Sequence, residues 1–215
     1  MGRKPSRLED ESSEMETSNI AVLRQVLSEH SKKSITDSSL MPAGVMILLY
    51  QKEGEYCVLL NKRSNEVEHH KGEISFPGGA KDHADHTLLD TALRETNEEM
   101  GIAPEDVTVL GEVDDIITGT QFLICPFVGA IPSNYAILPF AKEVAEVLEV
   151  PISSLMNKKN SRDEVRIFDG ELDYAPSYVY NGNVIFGATA RILNQLLELL
   201  DSVPNKEAQW KTNQR

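Results

Sequence analysis

The chain reads as an α/β protein, a mixed β-sheet flanked by helices, and three features of its 215 residues predict this. Two β-branched and aliphatic runs, Ala43–Tyr50 and Tyr56–Asn61, flank Lys52-Glu53-Gly54-Glu55, which has the composition of a hairpin turn. The hydrophobic period then lengthens, and Leu88, Leu89, Ala92, Leu93 and Met100 mark one face of a helix over Thr87–Met100. After a series of further apolar runs, the Leu- and Ile-rich segment Gly187–Leu200 reads as a closing helix.

Taken in order, residues 1–18 carry Glu9-Asp10-Glu11 and Glu14-Met15-Glu16 among Ser and Thr. They hold too little apolar surface to offset the entropy of ordering, so a disordered acidic tail is expected. Ile20, Leu23 and Leu27 recur at helical spacing beside Val26, predicting a short amphipathic helix from Asn19 to about His30. A polar linker, Ser31–Ser39, leads to the hairpin. Gly101 and Pro104 supply the stop signals for the interior helix. Further strands are expected over Val107–Val113, Phe122–Ile131, Val144–Val150, Val165–Phe168, Ser177–Tyr180 and Val184–Phe186. The polar stretch 203–215 is expected as a frayed tail, leaving one domain over 19–202 with no internal repeat.

The composition, 40% hydrophobic and 26% charged, suits one globular domain with a sizeable core. The longest apolar run, Val45–Leu49, is far too short to cross a bilayer, and the N-terminus lacks the pattern of a secretory signal. Cys57 and Cys125 sit in apolar strand segments as free thiols, and a cytoplasmic setting is expected. A net charge of −13 argues against a nucleic-acid partner, because neutralising phosphates needs clustered Lys and Arg. That acidity must be reconciled with any anionic small-molecule substrate. The sequence leaves a homodimer open.

The chemistry concentrates in Arg94-Glu95-Thr96-Asn97-Glu98-Glu99-Met100-Gly101-Ile102. Glu95 and Glu99, four residues apart, share a helix face, and Glu98 lies on its edge. Like charges at this spacing destabilise a helix by roughly 0.2–0.5 kcal/mol per pair. A divalent cation would reverse that, and carboxylate oxygens suit Mg²⁺ or Mn²⁺. A plain solvated face would also be rich in Glu. What sets this helix apart is the upstream turn Phe76-Pro77-Gly78-Gly79, where backbone can approach a metal or phosphate closely.

These residues resemble the Nudix box: Gly, five residues, Glu, seven residues, Arg-Glu, an aliphatic, any residue, Glu-Glu, any residue, Gly and an aliphatic. The box spans about 79–102, with Gly79 first and Arg94, Glu95, Glu98, Glu99, Gly101 and Ile102 in register. Thr96 replaces the aliphatic, and Asp85 stands for the first Glu through a one-residue insertion; strict counting would place His86 there. Leu59-Leu60-Asn61-Lys62-Arg63-Ser64, Gly72 and Phe76-Pro77-Gly78-Gly79-Ala80-Lys81-Asp82 further resemble the signature of the coenzyme A diphosphatase branch. Two positions depart from it: Asn61 replaces Thr, and Glu68 replaces an Arg that would meet an anionic group. Glu143–Val147 and Gly187–Arg191 are also similar to that branch, so the likeness runs from about Leu40 to Leu200.

The resemblance implies a Nudix fold, an α/β/α sandwich, and metal-dependent hydrolysis of coenzyme A, or its acyl or oxidised forms, to adenosine 3′,5′-bisphosphate and 4′-phosphopantetheine. It implies Glu95 and Glu99 as principal ligands of Mg²⁺ or Mn²⁺, with Glu98 a further ligand or supporting partner and the Gly79 carbonyl an extra one. Arg94, four residues from both Asp90 and Glu98, would hold the carboxylates in place. Glu143 is the candidate base, with Glu98 its rival and a plain surface carboxylate the alternative. Arg63, Gly78, Gly79 and His70 are the candidate substrate contacts; Arg63 could equally pair with an acid on a neighbouring strand, and His69 and His70 could simply face solvent. Tyr174 and Tyr178 are expected in the core rather than stacked on adenine. Glu68 favours one rival, a diphosphatase for ADP-ribose, NADH or a dinucleoside polyphosphate. A second rival, a nucleotide-binding regulator that cuts nothing, sits poorly with three retained, mutually repelling glutamates.

Overall fold

The computed structural model describes residues 20–66, 71–133, 135–168 and 171–203. The segment 1–18, Glu68, the histidines His69 and His70, and everything after Val203 lie outside them. Val203, which the sequence assigned to the polar tail, is buried in the core.

The centre is β1 (Met41–Lys52), joined to β2 (Glu55–Arg63) by a two-residue turn. Glu53 and Gly54 both take positive φ, 52° and 84°, the backbone whose twist matches a hairpin. On its other edge β1 runs parallel to β7 (Phe122–Ala130), so the sheet is mixed. The main sheet runs β3-β2-β1-β7-β5, where β3 is Ile74–Ser75 and β5 is Thr108–Glu112. The short β6 (Ile116–Ile117) adds to β7, and β8 (Val144–Pro151) covers the far edge of β2.

Both faces of β1 are buried, which is why its sequence is a continuous apolar run rather than an alternation. Met46, Leu48 and Tyr50 face the interior helix α2 (Leu88–Met100), meeting Ala92 and Met100. Ile47 and Leu49 face the opposite layer, where Leu23 and Leu27 of α1 (20–29) join Ile192, Leu193, Leu196 and Leu200 of α4 (Gly187–Ser202). Fully burying each such side chain contributes about 1.5–3 kcal/mol. The expected α/β/α sandwich is therefore present. After a one-turn helix α3 (Ile152–Leu155), a separate antiparallel meander of β9 (Ser161–Phe168), β10 (Glu171–Tyr180) and β11 (Asn183–Ile185) leads into α4. The strands β9 and β10 begin earlier than predicted, because their first halves carry polar side chains that no apolar pattern betrays.

One feature places the site. After Leu48 and Leu59, β1 and β2 part, and residues 74–80 fill the wedge between them. There β3 pairs with β2 (Asn61↔Ser75) and β4 (Gly78–Ala80) pairs with β1 (Gly44↔Gly79), while Met46 N–H donates to the Pro77 carbonyl at 2.9 Å. Helix α2 lies over this wedge. Thr87 caps it, with Asp90 returning the bond in a capping box, and Gly101 ends it in the left-handed conformation at φ 68°.

The helix approaches β1 so closely that a Cβ on Gly44 would sit 2.2 Å from the Leu88 carbonyl oxygen. Gly44→Ala is therefore expected to lower stability by about 1–3 kcal/mol or more, as overpacking does. Gly119→Ala, where a Cβ meets nothing within 4 Å, should be near neutral. Urea unfolding of both variants checks the contrast.

Candidate active site

Helix α2 aims its carboxylates at the wedge. Glu95 lies directly over Gly79: a Cβ there would come within 2.6 Å of the Glu95 carboxyl carbon. Glu99, one turn on, is 3% exposed, and its Oε2 accepts from Asn61 Nδ2 at 2.6 Å and from Gly78 N–H at 3.3 Å. Its Oε1 lies 3.9 Å from the Arg63 guanidinium. Burial, reinforced by the neighbouring Glu95 charge, pushes the Glu99 carboxyl up to about 8, despite opposing pulls from Arg63 and Gly78 N–H. Burial likewise raises Glu95, against the pull of Arg94.

Arg94 is the hub of the outer half. Its Nε and NH2 donate to the two oxygens of Asp85 at 3.1 and 3.0 Å, a fork that holds Asp85 well below the usual carboxylate range. Its NH1 donates to Glu95 at 2.8 Å and to Glu98 at 3.1 Å. Asp85 also accepts from Thr91 Oγ1 and Asp82 N–H, so its oxygens are fully engaged. The structure thus seats Asp85, not His86, against Arg94. The expected contact from Asp90 to Arg94 is absent, because the capping box claims Asp90.

The remaining candidates divide. Glu143, in the turn before β8, is exposed; its carbonyl accepts from Ser64 N–H at 2.8 Å, and its charge acts on both Glu95 and Glu99. Arg63 ends β2 beside Glu99, and its buried Nε has no partner among the described residues. Gly78 and Gly79 form the floor beneath Glu99 and Glu95. His70 lies outside the described residues. Tyr178 is buried and donates to Asn194, as expected of a core aromatic, whereas Tyr174 is exposed on β10, contrary to the core position expected for it. Sequence reasoning missed Asn61, read only as a departure from a signature, and Ser75, whose hydroxyl donates to Asn61 Oδ1 at 2.5 Å.

Among the described residues no three His, Cys, Asp or Glu side chains converge tightly enough to cage an ion as they stand. Glu95 is turned to Arg94 and Glu99 to Asn61. The donor chemistry nevertheless fits a hard divalent cation. Five carboxylates, Asp85, Glu95, Glu98, Glu99 and Glu143, face two guanidiniums, and the most deeply buried of them, Glu99, has no full-strength ion pair. No helix among the described residues is long and apolar enough to cross a membrane.

Comparison with known proteins agrees with this geometry. The NUDIX domain matches residues 40–168. The uncharacterized Nudix hydrolase NudL of Photorhabdus laumondii is 33% identical over 141 residues, covering 66% of this chain and 75% of that protein. Its counterpart from Citrobacter koseri is 36% identical over 141 residues, covering 65% and 72%. Among solved structures, the Nudix hydrolase RenU of M. smegmatis shares the fold, with a TM-score of 0.50, 22% identity and coverage of 76% and 88%. The chain therefore belongs to the Nudix family, hydrolases that use a divalent metal ion to split the diphosphate bond of nucleotide substrates.

Proposed function

We propose that this Nudix hydrolase cleaves coenzyme A and its acyl or oxidised derivatives, releasing adenosine 3′,5′-bisphosphate and 4′-phosphopantetheine. The observation that carries the reading is where the coenzyme A signature lies in the fold. Arg63 on β2 and Gly78 and Gly79 in the wedge border the carboxylates of α2. Part of the segment that resembles one substrate branch thus lies against the helix to which the chemistry is assigned, which supports the reading.

Glu95 and Glu99, with Glu98 and the Gly79 carbonyl, would hold Mg²⁺ or Mn²⁺. The ion supplies positive charge that polarises the diphosphate and acidifies the attacking water. Arg94 fixes Glu95 and Glu98 through NH1 while Asp85 braces the guanidinium from behind. The partly exposed guanidinium of Arg63, beside Glu99, offers N–H donors to a phosphate oxygen. Glu143, exposed at the rim and unencumbered by an ion pair among the described residues, takes the proton of the water that attacks phosphorus. Its oxygen joins one phosphorus, the bridging P–O bond breaks, and the bridging oxygen leaves with the other phosphate.

Three outcomes follow. Incubation of the pure protein with coenzyme A and Mg²⁺ or Mn²⁺ should release both products by mass spectrometry, with none in a chelated control; faster cleavage of ADP-ribose or NADH would move the substrate to that class. Glu99→Gln keeps the side-chain shape and should lower turnover by orders of magnitude while far-ultraviolet circular dichroism stays unchanged. Glu143→Gln should lower kcat by about 10²–10⁴-fold with little change in KM. Steady-state kinetics giving wild-type kcat would transfer the base role to Glu98.

A further inference from the structure

We infer that Asn61 and Ser75 form a positioning pair that sets the orientation of the Glu99 carboxylate for cation binding, a role that rests on the reading of Glu99 as a metal ligand. Asn61 is 1% exposed, a polar side chain that ends the buried run of β2 just before Lys62 and Arg63. Burying an amide is costly unless its hydrogen bonds are made, and here each end has a partner. The wedge puts Ser75 directly across from Asn61 in the β2–β3 ladder, so the serine hydroxyl reaches Oδ1 at 2.5 Å. The Glu99 carboxylate can only accept, so together the two partners settle which way the amide faces. With Oδ1 occupied by a donor, Nδ2 must point at Glu99 Oε2, which it meets at 2.6 Å.

The consequence falls on one oxygen of the carboxylate. Oε2 is tied by Asn61 Nδ2 and by Gly78 N–H at 3.3 Å, while the nearest cation to Oε1, the Arg63 guanidinium, stands 3.9 Å away. Oε1 is thereby left as the oxygen without a hydrogen bond among the described residues. An amide is the side chain that suits this position, because it accepts from a hydroxyl at one end and donates to a carboxylate at the other. Aspartate would set acceptor against acceptor, and leucine would fill the same space with neither function.

The test is a Mn²⁺ titration of the full chain without substrate, followed by calorimetry or by the electron paramagnetic resonance of free Mn²⁺. Asn61→Leu should weaken the tightest Mn²⁺ site by about 10–100-fold, the range typical of groups that orient a ligand. Ser75→Ala should weaken it less but in the same direction, since the amide can then turn. Melting in the presence of chelator separates this from a purely structural role, which would shift the melting temperature and leave the Mn²⁺ affinity of the folded protein untouched. Wild-type Mn²⁺ affinity in Asn61→Leu, alongside a lost site in Glu99→Gln, overturns the positioning role alone. Wild-type affinity in Glu99→Gln instead overturns the ligand assignment on which it stands. Should Asn61→Leu fail to fold, unchanged affinity in Ser75→Ala is the overturning result.

Discussion

The close approach of α2 to the strands beneath it is the constraint on which the rest of the molecule depends. Gly44 lets the first turn of the helix touch β1, and Gly79 lets the Glu95 carboxylate lie on the backbone of β4. A side chain at Gly44 would lift the helix, and one at Gly79 would push the Glu95 carboxylate aside. A lifted helix would withdraw Glu95 from the Gly79 backbone and Glu99 from the amide of Gly78, and the carboxylates would face water instead of a phosphate. The glycines are therefore spacers of zero thickness, and the large apolar layers on both faces of β1 press the helix down onto them.

That pressure works against electrostatics. A carboxylate buried like Glu99 loses hydration, and its neighbour Glu95 adds repulsion, so the pair opposes the stability of the fold around it. Local pairing relieves only part of this. Arg94 offsets one of the three charges of Asp85, Glu95 and Glu98 by gripping them together, but it does not reach Glu99. The residual negative charge lies where a cation has most to gain, and on the proposed reading that cation offsets the net charge of −13 for an anionic nucleotide.

Much of this was legible in the residues. The lengthened period, Thr87 and Gly101 bracketed α2 to within a residue, and the spacing of Glu95, Glu98 and Glu99 placed three carboxylates together. The hairpin announced itself through Glu53-Gly54. What escaped was short or competitive. Strands of two and three residues such as β3 and β4 have no periodicity to read, so the wedge was invisible. Asp90 stands at the correct spacing for Arg94, yet the stronger demand of an uncapped helix end took it, and Asp85 from a preceding turn filled the place. Asn61 registered only as a departure from a family signature, because its partners, Ser75 and Glu99, are distant in sequence and meet it only through the fold.

The wedge also determines which parts of the molecule are free to change. The connection between β2 and β3 leaves the sheet beside the site and is stapled at its base, where Arg63 N–H donates to the Glu73 carbonyl and Gly72 N–H to that of Arg63. Beyond that staple, its length and composition can drift without moving β1, β4 or the helix above them. A scaffold stapled in this way insulates the glutamates of α2 from insertions made at that edge of the sheet.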